Sequence, residues 1–414
     1  MKKFLVVLGV FLLVFCGAFI YNKNFLNKIP ILTVEEETIK VDSLYIYGTH
    51  LNFSGDYTLT ENTDLVLYDG EFKSYELNFN DDGFNVSEFI NDGIYLDEID
   101  TGRYYMFLRE KYLEGEEEKY RYYSLENTTD YKETIYYTMS NYDKKIYIET
   151  DEEYNTIMLD VNRSFDNGIY DIVLDAGHGG MDPGACRSNY CETDFTMDIA
   201  TMVKEELEKE GILVKLTYEK GSISKNKKLN EYGEHGRAVV PKEVNAKYVF
   251  SFHLNSGSSN VNGFELYTAS NINYDFAKTL TKNVIESTGL NYSNNVKNKV
   301  LDGIYSRNFT TQDVNDAIKD YKKQNRNPYE VSTNSSYYYM IRETGGIVTG
   351  AYVDDRNEEI LGNPYVKSNV GVEAYLLELG YLTSKNDLNN IVNNLDKYIT
   401  GIVDSIKLLY NGID

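Results

Sequence analysis

Residues 171–194 read DIVLDAGHGGMDPGACRSNYCETD. The predicted fold of the second half of the chain is inferred from this stretch and from the pattern that follows it. Residues 172–174 form a short apolar run of the kind that a buried strand presents. The run leads into Gly-His-Gly-Gly at residues 177–180, where glycine permits positive φ and the turn presents the imidazole of His178. Because open α/β sheets bind ligands at the carboxyl ends of their strands, this histidine is a candidate functional residue.

The sequence after this stretch alternates between strand-like and helix-like patterns. Apolar residues recur at helical spacing from residue 193 to residue 210, which places the carboxylate of Glu192 at the start of a helix. The alternation predicts an α/β fold with a mostly parallel, twisted sheet flanked by helices on both faces. Further strands are expected near residues 212–218, 248–252, 263–267 and 374–377, and further helices near 277–287 and 387–410.

Four polar side chains lie at strand ends or at a helix start in this scheme: His178, Glu192, His253 and Glu378. The chain has only four histidines, so two of them in strand-end motifs is a specific signal. Two neutral imidazoles and one carboxylate are a common ligand set for a hydrolytic zinc ion, with a fourth position left for water. A further carboxylate outside the ligand set can act as general base.

Composition limits the classes of partner. The 414 residues are enough for two domains and carry a formal net charge of -24. This charge argues against nucleic acid, whose phosphates require basic patches. It also argues against simple electrostatic adhesion to an anionic envelope, and a solvated acidic surface accounts for it.

The N-terminus is typical of an exported protein. In residues 1–22, Lys2 and Lys3 precede an unbroken apolar run, which predicts a secretion signal or a single membrane anchor. The lysines place the N-terminus in the cytoplasm and the rest of the chain in an extracytoplasmic, cell-wall-facing position. The cleavage pattern is poor, so we favour an uncleaved anchor over secretion after cleavage. Residues 23–40 are polar, lack periodicity and are interpreted as a tether.

Residues 41–165 contain many short, tyrosine-rich segments of alternating pattern, separated by Gly, Asn and Asp turns. This pattern predicts an all-β domain, either a sandwich or a small barrel. The tyrosines could stack on sugar rings, although half-buried strand positions are the commoner explanation. His50 has no metal-binding neighbour in the sequence and is interpreted as structural.

Cys186 and Cys191 flank the loop that leads to Glu192. In an oxidising space they could close a small disulfide that stiffens the loop. Two free thiols are the alternative. Ligation of a metal by the thiolates is weaker, because better ligands lie nearby.

Four motifs make the sequence resemble one family, the zinc-dependent N-acetylmuramoyl-L-alanine amidases, or amidase 3 family of peptidoglycan hydrolases. The resemblance covers the chain from about residue 170 to residue 409 and keeps the family's order. The motifs are DAGHGGMDPGA (175–185), SFHLNS (251–256), GFELY (263–267) and LLELGYLTS (376–384).

The resemblance implies a role for each of the four polar residues. His178, Glu192 and His253 would bind zinc, Zn2+, and Glu378 would be the catalytic glutamate. The implied reaction is hydrolysis of the amide between the lactyl group of N-acetylmuramic acid and L-alanine of the stem peptide. The implied partners are peptidoglycan and, in addition, an activator protein if the enzyme requires one.

Three further residues are candidates for substrate binding. Arg237 lies where the family has an arginine ahead of its third strand, Asn255 follows His253 closely, and Arg342 could meet a stem-peptide carboxylate. Residues 291–367 are longer than the family core requires. This insertion either continues the substrate-facing segment or folds over the zinc as an autoinhibitory lid, and acidic residues expected to be exposed there, such as Glu343, favour occlusion.

The predicted organisation is an anchor (1–22), a tether (23–40), an all-β domain (41–165) and a zinc amidase domain (168–414) with its insertion. The favoured function is a membrane-anchored zinc amidase of the cell wall. One alternative is an inactive wall-binding or regulatory module with the amidase fold. Another is a zinc hydrolase of a different substrate class, such as a deacetylase.

Overall fold

The computed structural model describes residues 32–57, 60–80, 83–129, 134–137, 143–164, 168–222, 231, 235–258, 260–323, 331–351 and 369–411. The predicted anchor, residues 1–22, lies outside these ranges, as does the tether up to residue 31. Among the described residues, no helix has the length and apolar character needed to cross a bilayer.

The described residues before position 165 form strands, with one 3-10 turn at Leu96–Glu98. The strands pair into two sheets, an eight-stranded one (β1, β4, β5 and β9–β13) and a six-stranded one (β2, β3, β6–β8, completed by the later β22). Their bounds are β1 Thr38–Val41, β2 Ser43–Tyr47, β3 His50–Gly55, β4 Thr63–Tyr68, β5 Phe72–Tyr75, β6 Asn78–Asn80, β7 Gly83–Asn85, β8 Ile94–Tyr95, β9 Gly102–Glu114, β10 Glu117–Asn127, β11 Thr134–Tyr137, β12 Asp143–Asp151, β13 Thr156–Ser164 and β22 Val370–Gly371.

One hydrophobic core joins these two sheets, so this part of the chain is a sandwich. Ile46 and Phe53 of the six-stranded sheet and Leu65 and Leu67 of the eight-stranded sheet belong to the same buried cluster. Successive side chains of a strand point to opposite faces. Tyr68, one residue after Leu67, therefore lies on the outer face, in a separate small cluster.

The second part of the chain is built on a seven-stranded sheet in the order β17-β14-β18-β23-β19-β21-β20. The four strands from β17 to β23 are parallel, whereas β19 runs antiparallel to β23, and β20 antiparallel to β21. The fold is thus mixed α/β, and β23 is an interior strand. The bounds are β14 Ile172–Ala176, β17 Val214–Leu216, β18 Tyr248–Asn255, β19 Glu265–Tyr267, β20 Lys299–Leu301, β21 Ile304–Tyr305 and β23 Glu373–Tyr381, with the small hairpin β15 Cys186–Arg187 and β16 Tyr190–Cys191.

Helices cover this sheet, and the last of them differs from expectation. The single terminal helix expected from the apolar pattern is two helices, because Asn394 leaves helical geometry at φ -137°. Residues of α1, α3 and α7 share the large core with the sheet. The helices are α1 Thr193–Lys209, α2 Val240–Glu243, α3 Asp275–Thr288, α4 Thr311–Lys323, α5 Tyr339–Thr344, α6 Lys385–Asn393 and α7 Leu395–Asn411, with a 3-10 turn at Gly346–Thr349.

The described part of the predicted insertion, residues 291–323 and 331–351, contributes strands and helices to the α/β part. β21 pairs with β19 and so extends the sheet, and its Ile304 and Tyr305 are fully buried. α5 packs on β23. Glu343, expected to be exposed, is only 4% exposed. That expectation was wrong, because the guanidinium of Arg342 donates to its carboxylate inside the core.

The sandwich and the α/β part meet in a buried contact, called the seam here and defined by Asn91, Asp97, Lys247 and Glu373. The ammonium of Lys247 lies 3.1 Å from the carboxylate of Asp97, and both side chains are almost fully buried. The amide of Asn91 donates to Glu373 at 2.8 Å. The seam also includes a strand, since β22 pairs in parallel with β2.

Candidate metal centre

The turn after β14 holds His178 close to the sheet edge. His178 itself takes a positive φ of 64°, and its carbonyl accepts a hydrogen bond from the hydroxyl of Tyr218 at 3.0 Å. A Cβ at Gly177 would lie 2.5 Å from the carbonyl of Phe252 and 2.6 Å from the ring of His253. Only glycine allows this close approach, which brings the ends of β14 and β18 together.

Glu192 lies between the two histidines at the start of α1. One oxygen of its carboxylate is 3.1 Å from Nε2 of His178, and the other is 2.9 Å from Nδ1 of His253. Backbone amides of Ala185 and Leu254 also donate to it. Burial alone would raise the pKa of Glu192, but the two imidazoles outweigh this effect and hold the pKa well below its usual range.

These three side chains form the one group among the described residues that meets the geometric test for metal ligation. A ligand-type atom from each of His178, Glu192 and His253 lies within 4.8 Å of the other two. Ligands about 2.1 Å from a tetrahedral zinc ion lie about 3.4 Å apart, close to the observed separations of 3.1 and 2.9 Å. The donor set therefore fits zinc.

A further carboxylate orients His178. Oδ2 of Asp182 lies 3.1 Å from Nδ1 of this ring, opposite the nitrogen that faces Glu192. Such a contact fixes the tautomer and orientation of a ligating imidazole. Asp182 belongs to the same motif as His178, but the sequence carries no separate signal for this role.

Glu378 lies beside the group but outside it. It is paired in register with His253 across the parallel strands β23 and β18. Its Oε2 is buried and has no hydrogen-bond partner in the described part of the chain. Burial, followed by the negative charges of Glu192 and Glu265, raises the pKa of Glu378 well above its usual range.

Glu265 is a site residue that sequence reasoning missed. It is fully buried on β19, and antiparallel pairing sets it directly opposite Glu378. Its carboxylate accepts hydrogen bonds from Asn255, Tyr267, Ser293 and Tyr381. The motif GFELY contains it, yet only the antiparallel insertion of β19 beside β23 reveals the contact.

The structure does not support direct substrate contacts for two of the three predicted residues. Arg237 is 5% exposed, and its guanidinium donates two hydrogen bonds of 2.7 Å to Asp175 at the end of β14. Arg342 is 2% exposed and donates to Glu343 and to the carbonyls of Ser336 and Tyr337. Both arginines are buried and bonded within the protein, and a direct contact with substrate remains a prediction for each.

Asn255, the third candidate, is half-buried and directed into the protein. Its amide donates to Glu265 at 3.0 Å, and its carbonyl oxygen accepts from the backbone of Ser256 at 2.8 Å. It therefore holds Glu265 beside Glu378. A direct contact with substrate remains a prediction for this residue.

A cluster of tyrosines and an arginine adjoins Glu265, to which the hydroxyl of Tyr267 donates. The rings of Tyr338 and Tyr267 are 4.7 Å apart. Burial and the charge of Glu378 raise the pKa of Tyr338 to about 12. The guanidinium of Arg307 lies 3.2 Å from the centroid of Tyr337, which is partly exposed.

The loop before Glu192 is closed by a disulfide. Cys186 and Cys191 are bonded across the hairpin of β15 and β16. Gly184 in this loop approaches so closely that a Cβ there would lie 2.5 Å from the carboxylate of Glu192. The loop therefore packs directly against the ligand group.

The other two histidines lie apart from the centre. His50 contacts the ring of Tyr95 and the hydroxyl of Thr49, and burial lowers its pKa to about 4. His235 is exposed and lies 3.1 Å from the carboxylate of Glu243. Neither belongs to the ligand group.

Solved structures similar to this chain include three amidases. The catalytic domain of CwlV from Bacillus (Paenibacillus) polymyxa var. colistinus is 22% identical, with a TM-score of 0.38, and the alignment covers 59% of this chain and 100% of that one. CwlD from Clostridioides difficile, described in complex with the GerS lipoprotein, is 21% identical (TM-score 0.34; 59% and 100% covered). AmiC2 of Nostoc punctiforme is 19% identical (TM-score 0.36; 59% and 98% covered). No match was found among curated proteins.

The family assignment depends on a family model instead. The model of the N-acetylmuramoyl-L-alanine amidases, Amidase 3, matches residues 172–408, which is more than half of the chain. The matched segment contains His178, Glu192, His253 and Glu378. The chain belongs to the N-acetylmuramoyl-L-alanine amidase family.

Proposed function

We propose that this protein is a zinc-dependent hydrolase that cleaves the amide between N-acetylmuramic acid and L-alanine in peptidoglycan. Family membership supports the reaction class. The observation that carries the zinc proposal is the ligand group itself: one ligand-type atom from each of His178, Glu192 and His253 lies within 4.8 Å of the other two. Two imidazoles and one carboxylate at this spacing are a common ligand set of hydrolytic zinc sites.

His178, Glu192 and His253 would hold the zinc ion. Bound there, zinc would polarise the scissile carbonyl and lower the pKa of a water to roughly 7. The protein keeps this ligand set in place through Asp182 on His178 and through the backbone amides that donate to Glu192. Outer contacts of this kind commonly change metal affinity by about 10–100-fold when removed.

Glu378 would move the proton. Its carboxylate would take a proton from the attacking water and return it to the leaving amine of L-alanine. Burial and two neighbouring carboxylates raise its pKa, which makes its carboxylate a stronger proton acceptor. A group that holds a proton between the two transfers needs this basicity. Glu265 and Asn255 fix the neighbouring strand, so that Glu378 faces the ligand group.

The proposal includes location and organisation. Residues 1–22 would anchor the protein in the membrane, residues 23–40 would act as a tether, and residues 41–165 and 168–414 would be a sandwich domain and the amidase domain, outside the cytoplasm. The apolar N-terminal run and the lysines before it support this. The proposal also includes an activator protein as a further partner.

The decisive test is Glu378→Ala. Purified variant should keep near-stoichiometric zinc, while release of stem peptides from peptidoglycan should fall about 10²–10⁴-fold, as is typical for a lost general base. Zinc is measured by elemental analysis, and products by mass spectrometry of muropeptides. Glu286→Ala, which removes an exposed carboxylate on α3, is the matched control.

Three results would contradict the proposal. Loss of zinc from Glu378→Ala would make this residue a ligand and not the base. Deacetylated sugars in place of free stem peptides would indicate a deacetylase. Wild-type protein that binds zinc and shows no turnover would favour an inactive module.

A further inference from the structure

The outer face of the eight-stranded sheet carries a stack of aromatic rings that the metal centre does not use. The ring of Phe72 lies between those of Tyr68 and Tyr122, with centroids 4.7 and 5.3 Å away. Tyr68 is buried, but Phe72 is 39% exposed and the nearby Tyr120 is 43% exposed. Exposed large aromatic side chains that lie together commonly mark a binding surface.

Arg109 holds this arrangement in place. Its guanidinium lies 5.7 Å from the ring of Phe72 and 5.0 Å from that of Tyr120. It also donates to both carboxylate oxygens of Asp64 and to the hydroxyl of Ser74. Because Asp64 neutralises it, Arg109 adds no free positive charge. We call Phe72, Tyr120, Tyr122 and Arg109 the ring platform, and this bonding makes it rigid before any ligand arrives.

A cleft of about 480 Å³ opens beside the platform and shares Arg109 and Tyr120 with it. Lys111 in its wall is paired with Glu118 at 2.6 Å. Glu61 and Glu76, also in the wall, have no hydrogen-bond or ion-pair partner among the described residues, and Leu77 adds an apolar surface. The cleft thus offers unfilled carboxylate acceptors next to rings and a small apolar patch.

This combination selects the ligand. The cations are already paired and the chain carries a net charge of -24, so a polyanion would be repelled. A purely apolar partner would leave Glu61 and Glu76 desolvated at a cost. An N-acetylated sugar meets all three surfaces: its ring face packs on aromatic rings, its hydroxyl and amide groups donate to carboxylates, and its acetyl methyl contacts an apolar side chain.

We propose that the ring platform and the adjoining cleft form a second binding site, for the N-acetylated sugars of a glycan strand. The choice of this polymer rests on the proposed function, whereas the site itself lies outside the segment that the amidase family model matches. The seam fixes the sandwich against the α/β part. A glycan strand bound to the platform is therefore tethered to the protein that carries the metal centre, which raises the local concentration of the polymer around the enzyme.

The test measures binding of the β-1,4-linked tetramer of N-acetylglucosamine to the full chain by calorimetry. The double variant Phe72→Ala/Tyr120→Ala should bind at least about tenfold more weakly, as expected for loss of two aromatic anchors. Leu113→Ala is the matched control, since Leu113 is an apolar residue of the same sheet that is 67% exposed and outside the platform. Glu61→Gln/Glu76→Gln, which disturbs no packing, should also weaken binding.

The outcomes separate this proposal from the proposed function. Unchanged affinity in both double variants, or saturable binding of trilysine instead of the tetramer, would overturn it; the second result would indicate an acidic surface for cationic peptides. Cleavage of a small soluble muramoyl peptide is measured in parallel and should not change in the platform variants. Wild-type protein that binds the tetramer without cleaving the peptide would refute the amidase reaction and leave the second site standing.

Discussion

The candidate metal centre, meaning His178, Glu192, His253 and the adjacent Glu378, buries charged side chains, and so does the seam. The two regions arrange these charges in opposite ways. In the seam, Asp97 faces Lys247 at 3.1 Å, and Glu373 accepts a hydrogen bond from Asn91. In the metal centre, Glu378 has carboxylate neighbours, and its Oε2 has no hydrogen bond among the described residues. A structural site satisfies its own charges, whereas a ligand site leaves charges that the ligand satisfies. Buried charges that the protein does not compensate therefore indicate where a ligand binds.

The contrast concerns charge more than hydrogen bonding. Oδ1 of Asp97 also lacks a hydrogen bond, although its other oxygen is paired with Lys247. Lys144 lies beside the seam, and its ammonium donates to the carbonyl of Asp97 at 2.7 Å. Asp97 therefore has two lysines close to it. Carboxylates accumulate in the metal centre.

If the seam is self-sufficient, removing one of its charges should be costly. Lys247→Ala leaves Asp97 buried without its counter-ion, and we expect the free energy of unfolding to fall by about 3–5 kcal/mol. Urea unfolding followed by circular dichroism measures the change. Lys278→Ala removes an exposed lysine with a comparable partner, Asp275, and should leave stability nearly unchanged. Equal losses of unfolding free energy in the two variants would show that the buried ion pair contributes no more stability than the exposed one.

If the metal centre awaits a cation, zinc should stabilise the fold through it alone. At a zinc concentration 100 times the dissociation constant, the free energy of unfolding should rise by about 2.7 kcal/mol. The rise is read from unfolding curves with and without chelator. His253→Ala should abolish it, whereas His235→Ala, at an exposed position, should retain it. A rise that survives in His253→Ala would place the cation elsewhere.

The smallest expected effect concerns pH and the buried Glu373. Burial raises the pKa of Glu373 from 4.5 to about 7. The folded state then binds this proton more tightly than the unfolded chain, so the stability it contributes is fully present below about pH 4.5 and is lost as pH rises through 7. Between pH 5 and pH 7.5 the loss is roughly 2 kcal/mol.

Glu373→Gln isolates this contribution, because glutamine keeps the acceptor for Asn91 and does not titrate. Unfolding curves over this pH range should show a flatter dependence in the variant than in the wild type by the stated amount. Glu286→Gln should reproduce the wild-type slope, since its carboxylate is exposed. Parallel slopes in all three proteins would show that Glu373 is ionised in the folded state.

The sequence predicted those parts of the site that depend on local periodicity. The apolar run before His178 and the helical spacing after Glu192 are periodic signals, and they correctly place His178 in the turn after β14 and Glu192 just before α1. His253 and Glu378 were found in the same way, each in an apolar strand. The α/β class of this part of the chain was predicted for the same reason, and it is confirmed.

The parts that the sequence concealed depend on which strands become neighbours. Glu265 approaches Glu378 only because β19 inserts antiparallel beside β23, and no periodicity records that choice. Arg237 and Arg342 lie in segments whose polarity suggests exposure. Arg237 is buried against Asp175 of β14, and Arg342 is buried against its neighbour in sequence, Glu343. The charge of these side chains was therefore a poor guide to their exposure. β23 is an interior strand although it is the last strand of this sheet in sequence, and sequence order does not reveal that position.

The pairing of β22 with β2 has a consequence for how the chain can be divided. The backbone amides of Ile46 and Gly48 donate to the carbonyls of Asn369 and Gly371. A polypeptide that stops at residue 165 would lose those acceptors and present a bare strand edge, which invites self-association. The six-stranded sheet can likewise be completed only after residues 370–371 have left the ribosome. A sheet whose first strand is translated early is therefore among the last to be completed.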